Sequence, residues 1–403
     1  MQTNQQQLVP ALRFPEFEGE WKRVKLGEIG EFKGGGTPST KKESYWIGNI
    51  PWVSSSDLEE GNIHKINISK YITEEAIDNS ATKLLPVNSI LMVSRVGVGK
   101  LAINKVAICT SQDFSNFISK NCHVHYVGFY LEHHKAKLKN LSQGTSIKGF
   151  TLDVIRIFKI NIPSQYAEQQ KIAHLFSTID KKKALLEELT QYLKVLKKGL
   201  MQQLFSQQVR FLDENGEAFP AWEVKLLKNL LKIPPKKKAE SFTADDLLTV
   251  KLHLKGVAKN TNTKTLKLGS TSYYIRKAGD FIFGKQNLFN GAFAIIPKEF
   301  DNFLSSGDLP CLRFDPQING EYFLHFFSRK SYYRSLEKIA QGTGSKRIHE
   351  KTIFSLKIPL PTLPEQKKIA NLLSSLDRRI QNLQAQLEEM QEYKKGLLQQ
   401  MLV

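Results

Sequence analysis

Two glycine-rich runs in this chain carry the residue types of a phosphate cradle: Lys33-Gly-Gly-Gly-Thr-Pro-Ser39 and Val96-Gly-Val-Gly-Lys100. Neither has the Gly-x4-Gly-Lys-Ser/Thr spacing that converges amides and a lysine on a nucleotide, so both are read as turns. Cys122-His-Val-His125 and His133-His134 are metal-ligating types. Their spacing fits no zinc pattern, and adjacent side chains on a helix diverge. There is no Gly-x-Ser-x-Gly elbow and no His-Glu-x-x-His pair. An amino-methyltransferase would need Asp/Asn-Pro-Pro-aromatic, and the only Pro-Pro, Pro234-Pro235, is followed by Lys236. No catalytic residue, metal ligand or cofactor is therefore assigned to the chain. The chemistry left is binding.

Charge says what would be bound. Lys and Arg number 58 against 39 Asp and Glu, a net charge of +19, with +10 on residues 206–361 and +5 on 1–165. Such an excess draws polyanions by Coulomb attraction and counterion release. Phosphate contacts need Lys, Arg or loop amides, and base readout needs paired donors and acceptors. On that basis the candidate contacts to a polyanion, DNA in the resemblance given below, are Lys41, Lys42, Arg95, Lys100 and Lys148 in the first half. In the second they are Lys236, Lys237, Lys238, Lys285, Gln286, Lys346 and Arg347, the last two in a flexible basic loop, Gly342-Thr-Gly-Ser-Lys-Arg347. Asn104 and Gln112 are candidate base readers. Trp46 and Trp52 are read as core packing rather than base-stacking platforms.

The elements that must position these residues come from a repeat of about half the 403-residue chain. Residues 168–205 align with 365–402, with 15 of 38 positions identical. Glu168-Gln-Gln-Lys-Ile-Ala173 matches Glu365-Gln-Lys-Lys-Ile-Ala370, and Lys197-Lys-Gly-Leu-Met-Gln-Gln203 matches Lys394-Lys-Gly-Leu-Leu-Gln-Gln400. Upstream, Gln143-Gly-Thr145 echoes Gln341-Gly-Thr343, and Lys159-Ile-Asn-Ile-Pro163 echoes Lys357-Ile-Pro-Leu-Pro361. Each half opens on a weaker echo, Arg13-Phe14 then Trp21 and Arg210-Phe211 then Trp222. The blocks between, about 22–142 and 223–340, barely resemble each other. Two similar frames thus carry two different inserts.

The repeated segments read as long helices with a seven-residue apolar stripe. Ile172, Ile179, Leu186, Leu193 and Leu200 form it in the first copy, and Ile369, Leu376, Leu383, Met390 and Leu397 in the second. Leu175, Leu189, Leu196, Leu372 and Tyr393 are assigned as its +3 column, which Lys182, Arg379, Gln203, Gln386 and Gln400 interrupt. At about 1.5 Å per residue, 38 residues span about 57 Å, the length of a spacer. The inserts contain short strand-like runs such as Trp46-Ile-Gly-Asn-Ile-Pro-Trp-Val53, Ile90-Leu-Met-Val93, Phe281-Ile-Phe283 and Ala292-Phe-Ala-Ile-Ile296. Each insert ends in a helix, near 126–141 and 320–339. The class is α+β: two β-rich domains, 1–165 and 206–361, and two coiled-coil spacer helices, 166–205 and 362–403. Three widely spaced cysteines and an N-terminus without signal character predict a cytoplasmic protein.

This layout resembles the specificity subunit of type I restriction-modification systems. The resemblance covers nearly the whole chain. It rests on Gly35-Gly-Thr-Pro-Ser39, Tyr45-Trp46 and Ile50-Pro-Trp-Val53, with the paired Pro-x3–4-Glu-Gln-x-Lys-Ile-Ala segments and the paired Lys-Lys-Gly-Leu helix ends. It implies two target recognition domains, each reading half of a split double-stranded DNA site, and antiparallel helices in pseudo-twofold relation that set the gap. It implies two modification subunits that bind S-adenosylmethionine and methylate adenine, and two restriction subunits that use ATP and Mg2+. The competing readings are a chain that itself methylates or cuts DNA, and a coiled-coil scaffold without DNA. Assaying the purified chain for modification or cleavage separates the first of these.

Overall fold

Glu168 and Glu365 are carboxylates with no exposed surface, and the frame is built around them. A buried carboxylate is costly unless it is paired and hydrogen-bonded. The computed structural model describes residues 8–141, 149–261, 271–342 and 345–403, and in it both glutamates are held alike. Arg13 grips Glu168 through Nε and Nη2 at 2.7 and 2.8 Å, and Trp21 Nε1 donates to the same carboxylate at 3.2 Å. Arg210 grips Glu365 at 3.0 and 2.8 Å, and Trp222 Nε1 donates at 3.0 Å. The weak opening echo of each half is therefore the clamp on the glutamate that starts each long helix.

The chain divides into two units, Met1–Glu187 with Ala385–Val403, and Glu188–Gln384. In the first, an antiparallel four-stranded sheet runs in the order Gly30–Gly34, Ser115–Ser119, Ser89–Met92, Leu101–Ile103. Lys22–Lys25 pairs with Lys159–Ile162. A smaller sheet of Lys70–Ile72, Ile50–Val53 and Cys109–Thr110 includes one parallel pair. Helix α1 (Val124–His133) buries Tyr126, Val127, Phe129, Tyr130 and Leu131 in the main core. Helix α2 (Tyr166–Phe205) follows the frame strand.

The second unit repeats the plan. Its four-stranded sheet runs Leu231–Lys232, Cys311–Phe314, Phe281–Phe283, Phe293–Ile295, and Glu223–Leu226 pairs with Lys357–Leu360. Helix α3 (Gly320–Phe327) buries Tyr322, Phe323, Phe326 and Phe327, and helix α4 (Leu363–Met401) follows the frame strand. The inserts thus share a sheet order although their sequences do not align.

The glutamine after each clamped glutamate ties helix to insert. Gln169 accepts from His123 N at 2.9 Å and donates to Pro163 O at 3.0 Å. Gln366 accepts from Asn319 N at 2.7 Å and donates to Pro361 O at 2.8 Å. His123 and Asn319 stand at the N-cap positions of α1 and α3, and the Asn319 side chain accepts from Tyr322 N.

Inside the first unit Lys394 meets Asp180 at 2.6 and 2.7 Å, and inside the second Lys197 meets Asp377 at 2.5 Å. Of the first apolar column, Ile172, Ile179, Leu193, Ile369 and Leu383 are buried, and Leu186, Leu200, Leu376, Met390 and Leu397 are half-buried. The second column holds near the helix starts, where half-buried Leu175 and Leu372 pack against the cores, and differs from the expectation further along. The +3 residues Leu189 and Tyr393 are 42% and 55% exposed, and Leu196 is exposed too. The +4 residues face inward instead: Phe176, Thr190, Leu204, Leu373, Ile380, Lys394 and Met401 are buried. Hydrophobicity alone chose the wrong neighbour, because residues three and four on both lie beside the stripe and a lysine is inward-facing where an aspartate meets it.

Two stability predictions follow from the frame. Arg13→Ala strands the Glu168 charge and should cost about 3–5 kcal/mol in denaturant unfolding of the full chain. Arg13→Met with Glu168→Gln should recover much of that. A loss well under 1 kcal/mol would show that the clamp is not needed. The second concerns protons. Burial lowers His125 and His134 to about 4, below the ordinary histidine value of about 6.5. The unfolded chain then binds more protons between those values, so stability is complete above pH 6.5 and falls as pH drops towards 4. Thermal melts at pH 7.5 and 5 should show a lower Tm at pH 5, and an equal Tm would contradict this.

Candidate nucleic-acid interface

In the first unit the interface loops are held by close backbone packing. A Cβ on Gly35 would lie 2.0 Å from Ser111 O, and one on Gly36 2.4 Å from the Ala81–Thr82 backbone. Gly36 O accepts from Trp52 Nε1 at 2.9 Å and from Thr82 Oγ1 at 2.8 Å. The glycine run is therefore a fixed platform for Thr37, Ser39 and the lysines beyond. Trp52 is buried, and half-buried Trp46 packs edge-on against it at 5.0 Å with Nε1 donating to Ser39 O.

Segment 111–113 joins this platform to a second loop. Exposed Gln112 accepts from Thr37 Oγ1, and Asp113 O accepts from the amides of Ser94 and Arg95. Arg95 is exposed, and the loop turns beside it through Gly97 and Gly99, both with φ near +100°. Thus Lys41, Lys42, Arg95 and Gln112 sit on two loops joined at one sheet end. Lys41 is exposed. Lys42 pairs with Glu75 at 2.6 Å and lies over the Tyr45 ring. Lys100 is half-buried and donates to Ser55 O at 3.1 Å, which makes it a brace for the loop. Lys148 and the Gln143-Gly-Thr145 echo lie outside the described residues.

Asn104 is not a base reader. It is fully buried, its Oδ1 accepts from Ser89 N at 2.6 Å, and its Nδ2 donates to Pro86 O and Val106 O at 2.8 Å. Its amide groups close a turn, leaving nothing to offer a base.

In the second unit Lys236, Lys237 and Lys238 are exposed on an extended segment. Ile275 N donates to Lys237 O, and Ala239 N to Tyr273 O. Lys285 is less available than its loop sequence implies: its ammonium is 3.5 Å from Glu350, and both side chains are largely buried. Gln286 is exposed. Lys346 pairs with Glu337 at 2.9 Å and Arg347 with Asp308 at 3.0 Å, all four well exposed. Such pairs are worth about 0–1 kcal/mol, so a phosphate can displace them. Gln341 and Arg347 exchange backbone hydrogen bonds, closing the loop base. Asp308 O accepts from Lys285 N, and Lys285 O from Ile348 N, which gathers Lys285, Gln286, Lys346 and Arg347 at one place.

Arg276 was missed. It follows the strand Tyr273–Ile275, and beside it a small pocket is lined by Lys236 and Lys285. The only signal in the sequence was a cation at the end of an aromatic strand. Among the described residues no three His, Cys, Asp or Glu converge as a metal site, and no helix is long and apolar enough to cross a membrane.

Comparison with known proteins places the chain in a family. The family described as type I restriction modification DNA specificity domain matches twice, over residues 18–195 and 221–392. The chain is 28% identical to the type I restriction enzyme MjaIX specificity subunit of Methanocaldococcus jannaschii, over 94% of this chain and 92% of that one. It is 36% identical to the EcoR124I/EcoR124II specificity subunit of Escherichia coli, over 42% of this chain and 43% of that one. The crystal structure of a type I restriction-modification S subunit from M. genitalium superposes with a TM-score of 0.67 at 14% identity, covering 98% of this chain and 99% of that one; this likeness is one of fold.

Asn104→Ala removes the acceptor of buried Ser89 N and the side-chain donor to Pro86 O and Val106 O. It should lower stability by about 1–3 kcal/mol while leaving any DNA sequence preference as it was. A changed preference with unchanged melting would return Asn104 to the interface.

Proposed function

This chain belongs to the family of type I restriction modification DNA specificity domains, and from that premise we propose how it works. It is the DNA sequence-recognition subunit of a type I restriction-modification system, a non-catalytic component. In our reading each unit reads one half of a split double-stranded site, and α2 and α4 set the gap between the halves. Two modification subunits carrying S-adenosylmethionine dock on the chain and methylate adenine. Two restriction subunits add cleavage with ATP and Mg2+, and the assembly works in the cytoplasm.

One observation carries the division of labour between the units. The Arg–Glu–Trp clamp and the four-stranded sheet recur, while the loops at the sheet ends share no residue pattern. The first unit presents Thr37, Lys41 and Arg95 from glycine-braced turns. The second gathers Lys236, Gln286, Lys346 and Arg347 around Asp308 and Arg276. A constant frame with variable loops suits two readers of different sequences. Phosphate contacts from the lysines would fix register, and base-edge contacts from neighbouring side chains would discriminate.

Exchanging residues 22–142 for the same segment of a relative tests this. Methylation mapping in cells should show one half of the modified site changed and the other half kept. A change in both halves, or in neither, would contradict the reading.

A further inference from the structure

We propose that the second unit holds a pocket for a single DNA backbone phosphate, with the Arg276 guanidinium at its base. The proposal rests on the DNA-recognition reading and deepens it.

The pocket has a volume of about 100 Å³ and is lined in part by Lys236, Tyr274, Arg276, Lys285, Gly307 and Glu350. It is far smaller than pockets that enclose a whole organic ligand, so a nucleoside or an extruded base does not fit. Arg276 is only 6% exposed, yet no carboxylate bonds to it. Nε donates to Ser305 Oγ at 2.7 Å, and Nη2 to Ser306 O and Leu309 O at 3.2 and 3.0 Å. Nη1 has no acceptor among the described residues. The nearby carboxylates are engaged elsewhere: Asp280 takes both Arg313 bonds at 2.9 Å, and Glu350 faces Lys285 at 3.5 Å. Around the pocket three cations, Arg276, Lys236 and Lys285, therefore meet one anion, Glu350.

A buried cation bonded only to neutral oxygens is poorly compensated; Asp280 and Glu350 attract Arg276 without bonding to it, and the Tyr274 ring lies 5.5 Å away. An arriving anion completes the compensation, and the planar guanidinium fork with a spare nitrogen matches a phosphate better than a lysine would. The surroundings identify the source of that anion. Lys236 is exposed beside the pocket, and Lys285 is tied by its backbone to Asp308 and Ile348, next to Arg347. The pocket thus lies among the loops assigned to DNA.

The test uses the full-length chain with Lys236→Gln and Arg276→Gln, each first checked for folding. Binding to cognate and unrelated duplexes is measured against salt, and thermal melting against added inorganic phosphate. Each variant should lower the slope of log K against log salt by about 0.9 and weaken both duplexes by the same factor. Inorganic phosphate should raise the Tm of the native chain and raise that of Arg276→Gln less. If Arg276→Gln does not fold, Lys236→Gln carries the comparison. Unchanged slopes would overturn the proposal, including the case where phosphate still raises the Tm and the pocket takes only a free anion. A loss confined to the cognate duplex would also overturn it, since that marks base readout. A native chain that shows no salt-dependent DNA binding would refute the recognition reading instead, with the phosphate melts still reporting on the pocket.

Discussion

The structure depends on a carboxylate that must not be left alone. Glu168 and Glu365 sit without solvent at the first turns of the long helices. There the helix dipole favours a negative charge, but burial demands full hydrogen bonding. Arg13 with Trp21, and Arg210 with Trp222, supply it from residues about 150 positions earlier. Each clamp closes a half of the chain into a loop whose two ends are fixed. The insert between them is free to vary, because its ends are already positioned.

That constraint accounts for the contrast between frame and insert. Gln169 and Gln366 accept from the backbone amides of the residues just before α1 and α3, and Tyr126 and Tyr322 hydroxyls reach the frame-strand carbonyls of Asn161 and Pro359, both at 2.7 Å. These ties need one glutamine and one tyrosine per unit and ask nothing of the loops. The sheet can therefore keep its order while the loops at its end change completely, as befits a recognition surface.

The helices solve a different problem. An all-apolar seam would leave their register weakly specified, whereas a polar residue within the seam singles out one alignment. Lys197 and Lys394 occupy the inward column, and Asp377 and Asp180 meet them. The repeat places both partners in both helices, so one pairing rule is used twice.

Much of the frame was legible in the sequence, because it is local and repeated. The half-chain period, the two long helices, the first apolar column and the basic excess all read directly from residue types and spacing. The Arg–Trp echo was visible too, though not its purpose. What the tertiary structure decided are matters of partnership. It showed that Asn104 closes a turn, that Lys285 is engaged with Glu350, that Arg276 is buried with no carboxylate bonded to it, and that the inserts share one sheet order. It also moved the second column of the helix seam from Leu189 and Tyr393 to Thr190 and Lys394. The physical reason is distance along the chain. Periodicity records what a residue does for its own helix or strand, whereas burial and charge compensation depend on groups such as Asp180 and Lys394, which lie 214 residues apart and meet only when the fold closes.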